Sequence, residues 1–161
     1  MYVRQTTMND LRQVEVIYNK ARIFMRQSGN KTQWAHHWPP EKVIIADIES
    51  GDSYVCVDEK EQVLAVFIYK KGVDPTYLKI DGEWLNDNEY GVIHRFASAR
   101  KVRGAASFCL DWALQQCPDL RIDTHEDNVP MRSLLTSRGF TYCGVIYLAN
   151  GDPRVAYQKQ I

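Results

Sequence analysis

The sequence predicts an α/β fold: a mixed, mostly antiparallel central sheet with helices on both faces. Three observations point there. The run Val63-Leu64-Ala65-Val66-Phe67-Ile68-Tyr69 is continuously apolar, as a strand buried on both faces would be. Between residues 90 and 124, a strand, an apolar helix and a second strand follow one another, the pattern of a parallel β-α-β step. Near the end, Asn150-Gly151 separates two strand-like runs, a strong hairpin signal. The expected element order is β-α-α-β-β-β-α-β-α-β-β, and 161 residues suit one domain, 1–161.

Each element has its own signal. Residues 2–6 read as a short strand. Thr7 can cap a helix over 8–28, with Leu11, Val14, Ile17, Tyr18, Ala21, Phe24 and Met25 on one face and Gly29 as its stop. Residues 33–40 are irregular and aromatic. Pro40 opens a short helix carrying Val43, Ile44 and Ile48 that ends near Gly51. Strands at 53–58 and 62–70 flank the charged turn Glu59-Lys60-Glu61. A loop-like excursion from Lys70 to Glu89 follows, long enough to suggest function or mobility. Tyr90–Ser98 is a strand, and 104–117 a helix polar only along Ser107, Asp111 and Gln115, hence largely buried. Leu120–Thr124 is a strand. Asn128 caps a helix that stops at Gly139, and strands at 140–148 and 154–160 complete the chain.

Composition excludes several classes. With 20 basic and 20 acidic residues the formal net charge is +0, so no global field draws the chain to nucleic acid or membrane. No run approaches the ~18 apolar residues of a membrane span. The first residues lack a signal peptide's apolar stretch, so the cytoplasm is the expected compartment. Cys56, Cys109, Cys117 and Cys143 have no C-x-x-C spacing and read as buried free thiols. His36 and His37 are adjacent and cannot face one ion, so no metal is expected.

Local chemistry concentrates at Ser98-Ala99-Arg100-Lys101-Val102-Arg103-Gly104-Ala105-Ala106. Here a strand ends, a basic loop turns, and a buried helix begins at small residues. The first amides of a helix lack intrahelical acceptors and can hold a phosphate where the backbone comes close. Gly104, Ala105 and Ala106 allow that approach, and Arg100, Lys101 and Arg103 add local charge. The loop alone fits a solvated basic turn equally well. It is neither a P-loop, lacking Gly-Lys-Ser/Thr, nor a dinucleotide fingerprint.

A second segment separates these readings. Ile122-Asp123-Thr124-His125-Glu126-Asp127-Asn128 ends the next strand and opens a helix that closes with Arg138-Gly139-Phe140. Lys101-Val102-Arg103-Gly104-Ala105-Ala106 and the pair Asn128…Gly139-Phe140 together resemble the GNAT superfamily of N-acetyltransferases. Its loop pattern is Gln/Arg-x-x-Gly-x-Gly/Ala, from which Lys101 is a charge-conserving departure. The resemblance extends to the whole element order. It implies an acetyl-CoA-dependent N-acetyltransferase acting on a small-molecule amine or peptide, with acetyl-CoA as co-substrate, no metal and a homodimeric assembly. It also implies a V-shaped opening between the strands at 90–98 and 120–124. Phe96, Ala97 and Ser98 would pair with the pantetheine arm, amides from Lys101 to Ala106 would hold the pyrophosphate, and Asn128 would touch the pantetheine beside its capping role.

Direct attack of the amine on the thioester requires a base. His94 is the first candidate, since it alternates with Val92 and Phe96 on the strand into the cofactor site and an imidazole suits proton acceptance near neutrality. A structural histidine bonded across the sheet is the competing reading. Glu89, His125 and Glu126 are runners-up. The tyrosine that many members carry before Gly-Phe is Leu135 here, so Tyr142 and Tyr147 stand as substitute acids, against a packing role for both. Cys143 is rejected as a nucleophile because burial in a strand would raise its pKa. Trp34, Trp38 and Trp84 are expected to line the acceptor pocket, with Glu83 or Asp87 attracting the amine, unless the tryptophans anchor loops. The alternative class is a catalytically silent CoA-binding or regulatory module, favoured by Leu135. A nucleic-acid binder using residues 100–103 is disfavoured for want of a wider basic face.

Overall fold

A computed structural model describes residues Met1–Ile161. Eight strands form one sheet: β1 (Tyr2–Gln5), β2 (Ser53–Val57), β3 (Val63–Lys71), β4 (Asp81–Gly82), β5 (Gly91–Ser98), β6 (Asp119–Thr124), β7 (Thr141–Tyr147) and β8 (Pro153–Gln160). Four α-helices accompany them: α1 (Leu11–Gln27), α2 (Glu41–Glu49), α3 (Ala105–Gln116) and α4 (Val129–Ser137). The strand order is β1-β2-β3-β5-β6-β8-β7-β4, and only β5 and β6 run parallel. The expected mixed sheet is therefore present, with one strand more than the sequence announced.

That extra strand is β4, inside the 70–89 excursion. It pairs with β7 through Asp81↔Val145 and Gly82↔Gly144. The backbones approach so closely that a Cβ on Gly82 would lie 2.1 Å from the Cys143 carbonyl oxygen, and one on Gly144 would lie 2.2 Å from that of Asp81. Only glycine fits at this crossing. At the other end, residues 8–10 form a 3₁₀ turn rather than the start of α1. Asp10 accepts from the Thr7 amide at 2.8 Å and from the Arg4 guanidinium through both carboxylate oxygens.

The two faces of the sheet are covered differently. On one face α3 and α4 bury Cys109, Leu110, Ala113, Leu114 and Leu135 against Ala65, Phe67, Ile93, Leu120 and Ile122. On the other, α1 and α2 set Val14, Ile17, Tyr18, Ile44 and Ile48 on Val55, Val57, Val66 and Ala97. Beyond them the excursion lays Tyr77 over Val92, Ile146 and Ala156. Arg121 clamps this cover down, stacked against Trp84 and Tyr90 and donating to the Asn86 carbonyl at 2.8 Å. All four cysteines are buried and unpaired. No helix is long and apolar enough to cross a membrane.

An inserted residue in β5 shapes the middle of the molecule. Ile68 pairs with His94 and Val66 with Ala97, so Arg95 and Phe96 share the place opposite Phe67. Arg95 takes φ 47°, a left-handed conformation unusual for a non-glycine residue. Three bonds hold it there: Tyr18 Oη donates to the Arg95 carbonyl at 2.9 Å, and the Arg95 guanidinium pairs with both oxygens of Asp47 at 2.9 and 2.7 Å. The bulge corrects a sequence expectation. His94 and Phe96 do not share a face: His94 meets Tyr77 under the excursion, whereas Phe96 packs beside Phe67 on the α3 side.

Candidate active site

Strands β5 and β6 are paired only from Gly91↔Leu120 to Ile93↔Ile122. Beyond that point the bulge turns β5 away, and no ladder joins His94–Ser98 to Asp123–Thr124. Two cavities open into the gap. The first, of about 480 Å³, lies under the loop before α3. Every residue proposed for the cofactor lines it, from Phe96, Ala97 and Ser98 through Lys101, Val102, Arg103, Gly104, Ala105 and Ala106 to Asn128. The second, of about 800 Å³, lies between the two covers of the opposite face. Met25, Phe96, Asn128 and Met131 border both cavities, so the two adjoin.

The first cavity has the features of an anion site. The earliest backbone bond of α3 is donated by Phe108 to Gly104, and no amide from Lys101 to Ser107 donates to a protein acceptor. These N–H groups carry the positive end of the helix dipole. Gly104 sits at the N-cap with φ 90°, and a Cβ there would meet no atom within 4 Å. Arg100 lies 3.6 Å above the Phe24 ring, tying the loop to α1. Asn128 caps α4: its Oδ1 accepts from the Met131 amide at 3.3 Å and its Nδ2 donates to Gln33 at 3.1 Å.

The second cavity holds the titratable groups. His94 Nε2 lies 2.7 Å from Asp74 Oδ2, with the side chains 28% and 16% exposed. Thr76 supplies two further bonds to the same carboxylate, from its amide at 2.9 Å and its hydroxyl at 2.7 Å. Burial works against ionisation of Asp74, but the bonds from His94 and Thr76 outweigh it and bring the pKa down to about 2. An ionised Asp74 accepts from Nε2–H and leaves Nδ1 as the ring nitrogen with a lone pair. Tyr77 Oη donates to Asp123 Oδ1 at 2.5 Å. Burial raises the Asp123 carboxyl above the ordinary carboxylate range, with His94 and Tyr77 offsetting part of the effect.

The remaining candidates separate cleanly. Trp34 and Trp38 line the second cavity, and Trp34 also meets Tyr18 edge-on. Trp84 does not line it: its Nε1 donates to the Tyr77 carbonyl at 3.0 Å and its ring takes Arg121, so it anchors the excursion. Tyr142 and Tyr147 are not at the cleft either. Both lie on β7 near the far edge of the sheet, Tyr142 against Tyr157 and Tyr147 donating to Asp81 at 2.8 Å. Glu89 pairs with Lys71, and His125 has its two ring nitrogens engaged by Thr32 and the Asp127 amide. Glu126, Glu83 and Asp87 are exposed outside the cavity. Burial pushes the Cys143 thiol up. Sequence reasoning missed Asp74 and Tyr77, and also Arg154, which lines the second cavity; no local motif marks them.

The folded pKa of Asp74 lies below an unfolded value of about 3.9, so its pairing stabilises fully above pH ~4 and the contribution is lost as pH falls toward ~2. Asp74→Asn is therefore expected to cost about 2 kcal/mol at pH 5, with the difference from wild type closing between pH 4 and 2. Urea titrations across that range measure it, and a gap independent of pH would contradict an ionised Asp74.

The sequence matches no protein-family model and no curated protein. Solved structures do match. An acetyltransferase of the GNAT family from Streptococcus agalactiae 2603 is 31% identical, over 99% of this chain and 95% of that one, with a TM-score of 0.88. A GNAT-family acetyltransferase from Listeria monocytogenes 4b F2365 shares the fold at 21% identity, 99% and 94% coverage and a TM-score of 0.71. A GNAT phosphinothricin acetyltransferase from Sinorhizobium meliloti, in complex with AcCoA, does so at 15% identity, 99% and 88% coverage and a TM-score of 0.66. With the splayed strands, the bulge and the amide-lined loop in place, the first of these comparisons decides the matter: the chain belongs to the GNAT family of acetyltransferases.

Proposed function

We propose that the protein is an acetyl-CoA-dependent N-acetyltransferase that moves the acetyl group directly onto a primary amine of a small-molecule or peptide acceptor. The observation that carries this reading is the meeting of two unlike cavities, one lined by free amides and flanked by cations, the other holding His94 bonded to the ionised Asp74. The amides from Lys101 to Ser107 and the open space at Gly104 fit a diphosphate. The unpaired edge of β5 at Phe96–Ser98 fits an extended pantetheine, in the manner of an added strand. The AcCoA complex of the Sinorhizobium enzyme supports the same assignment.

Bound acetyl-CoA supplies an activated acyl carbon and a thiol leaving group. The amine's nitrogen bonds to that carbon, the carbon–sulfur bond breaks, and sulfur departs with the electron pair. His94 Nδ1 takes the proton that the amine must lose, while Asp74 fixes the tautomer and stabilises the imidazolium that forms. No tyrosine stands at the cleft to protonate sulfur, because Leu135 is wholly buried among α3 and α4 core residues. A thiol with a pKa of about 8.5 leaves without that help.

Free-thiol release from acetyl-CoA with a panel of amines and polyamines tests the proposal, alongside calorimetric titration of acetyl-CoA. Binding without turnover on any acceptor would instead support the silent module that Leu135 favours. The His94–Asp74 pair argues against that module, since holding CoA alone calls for no proton acceptor in the neighbouring cavity.

A further inference from the structure

Two arginines of this chain are buried, Arg121 at 5% exposure and Arg154 at 7%. A buried guanidinium needs compensation, since removing a charge from water carries a penalty of several kcal/mol unless partners replace the solvent. Arg121 is held between two aromatic faces and donates to the Asn86 carbonyl, although its Nε finds no acceptor. Arg154 has almost no compensation. Its one hydrogen bond runs from Nη1 to the carbonyl of its neighbour Pro153 at 2.9 Å. It forms no ion pair with any carboxylate, although Asp123 lies near enough for Arg154 to favour its ionised form. Asp123 directs one oxygen to Tyr77 instead.

The position of Arg154 is as telling as its lack of partners. In the β6–β8 ladder Ala156 lies opposite Asp123, and Arg154 stands two residues before Ala156, so all three side chains share one face. That is the face of His94. Arg154, His94, Asp74 and Asp123 line the same cavity. Arg154 has no nitrogen that is both sealed within the protein and unbonded, and the residue lines this cavity. A strand-borne guanidinium, preorganised and largely stripped of water, is a fork for a planar anion.

We infer that the acceptor is an amine that also bears a carboxylate, an amino acid or amino-acid derivative, with Arg154 holding the carboxylate while the amine faces His94. The inference rests on the acetyltransferase reading above and names the substrate class of that same site. The cavity offers both signs that a zwitterion needs: the cation Arg154, and the carboxylate of Asp74 at the histidine. A simple polyamine would leave Arg154 unmatched and set two like charges in one cavity.

The test compares matched acceptors in wild type and variants: histidine against histamine, tryptophan against tryptamine, phenylalanine against phenethylamine, and lysine against cadaverine. Thiol release is the readout, with acetyl-CoA affinity measured separately by calorimetry. At least one carboxylate-bearing member is expected to exceed its decarboxylated partner in kcat/KM by about 10- to 100-fold, the range for a charge-assisted pair. Arg154→Gln should remove that preference by raising the KM of the carboxylate-bearing acceptor far more than that of its decarboxylated partner, with little effect on the KM for acetyl-CoA. Arg154→Lys should restore part of it. Equal use of both members of every pair by wild type that binds acetyl-CoA overturns the inference and leaves the acetyltransferase reading standing. So does an Arg154→Gln variant that loses both members alike while its melting temperature is unchanged. Failure to bind acetyl-CoA overturns the acetyltransferase reading itself. The wild-type comparison decides the matter even where a variant does not fold.

Discussion

Gly104→Glu is expected to abolish measurable binding of acetyl-CoA while the fold survives. A side chain here enters open space, since an added Cβ meets nothing within 4 Å, so the core behind α3 is untouched. Its conformational cost is that of a non-glycine residue at φ 90°, about 1 kcal/mol. The carboxylate matters far more. Placed beside the free amides of Lys101 to Ser107, it takes the position a phosphate would take and satisfies the donors itself. A like charge about 4 Å from a phosphate oxygen adds about 4 kcal/mol of repulsion at an effective dielectric of ~20, roughly a thousand-fold in affinity. Gly104→Ala carries the backbone strain without the charge and separates the two effects; it should weaken binding by no more than about ten-fold. Calorimetry on both variants, with melting curves as a check of folding, gives the comparison. Undiminished affinity in Gly104→Glu would remove the diphosphate from this loop.

The difference between what could and could not be read from the sequence is a difference between local and assembled features. The loop at 98–106 was legible because its cations, small residues and helix start are contiguous, and all of them line one cavity. The second cavity was not, because it draws on Trp34 and Trp38, Asp74, His94, Asp123 and Arg154 from separate elements. Asp74 was hidden in an excursion whose only regular pieces are a single 3₁₀ turn and a two-residue strand, too short for any periodicity. Arg154 looked like one more charge on a late strand. Trp84 misled because an aromatic in a long loop suits a pocket wall and an anchor equally, and the partner that decides, Arg121, lies on β6. The bulge was invisible for a physical reason. Arg95 adopts a left-handed conformation with no glycine or asparagine to announce it, held by Tyr18 and Asp47 far away in sequence. Strict alternation puts His94 and Phe96 on one face, whereas the structure sends them to opposite faces of the sheet.

His94→Ala is expected to lower kcat by a factor of about 100 to 1,000 with little change in the KM for acetyl-CoA. His94 lines the second cavity but not the first, so its loss removes the proton acceptor without touching the amide-lined loop. The acidic limb of the pH–rate profile should go with it, because that limb records the loss of a free Nδ1 as the imidazole protonates. Asp74→Asn keeps the imidazole yet removes the charge that fixes Nε2–H, and a smaller fall of about 10-fold should follow. The two changes act on one unit, so the double variant is expected to be no slower than His94→Ala alone. Multiplying effects would mean that Asp74 serves the reaction independently of the histidine. An unaltered pH–rate profile in His94→Ala would place the base elsewhere, and Asp123 is then the group to replace. Its raised carboxyl pKa and its place in the same cavity make it the second candidate acceptor for an amine held there.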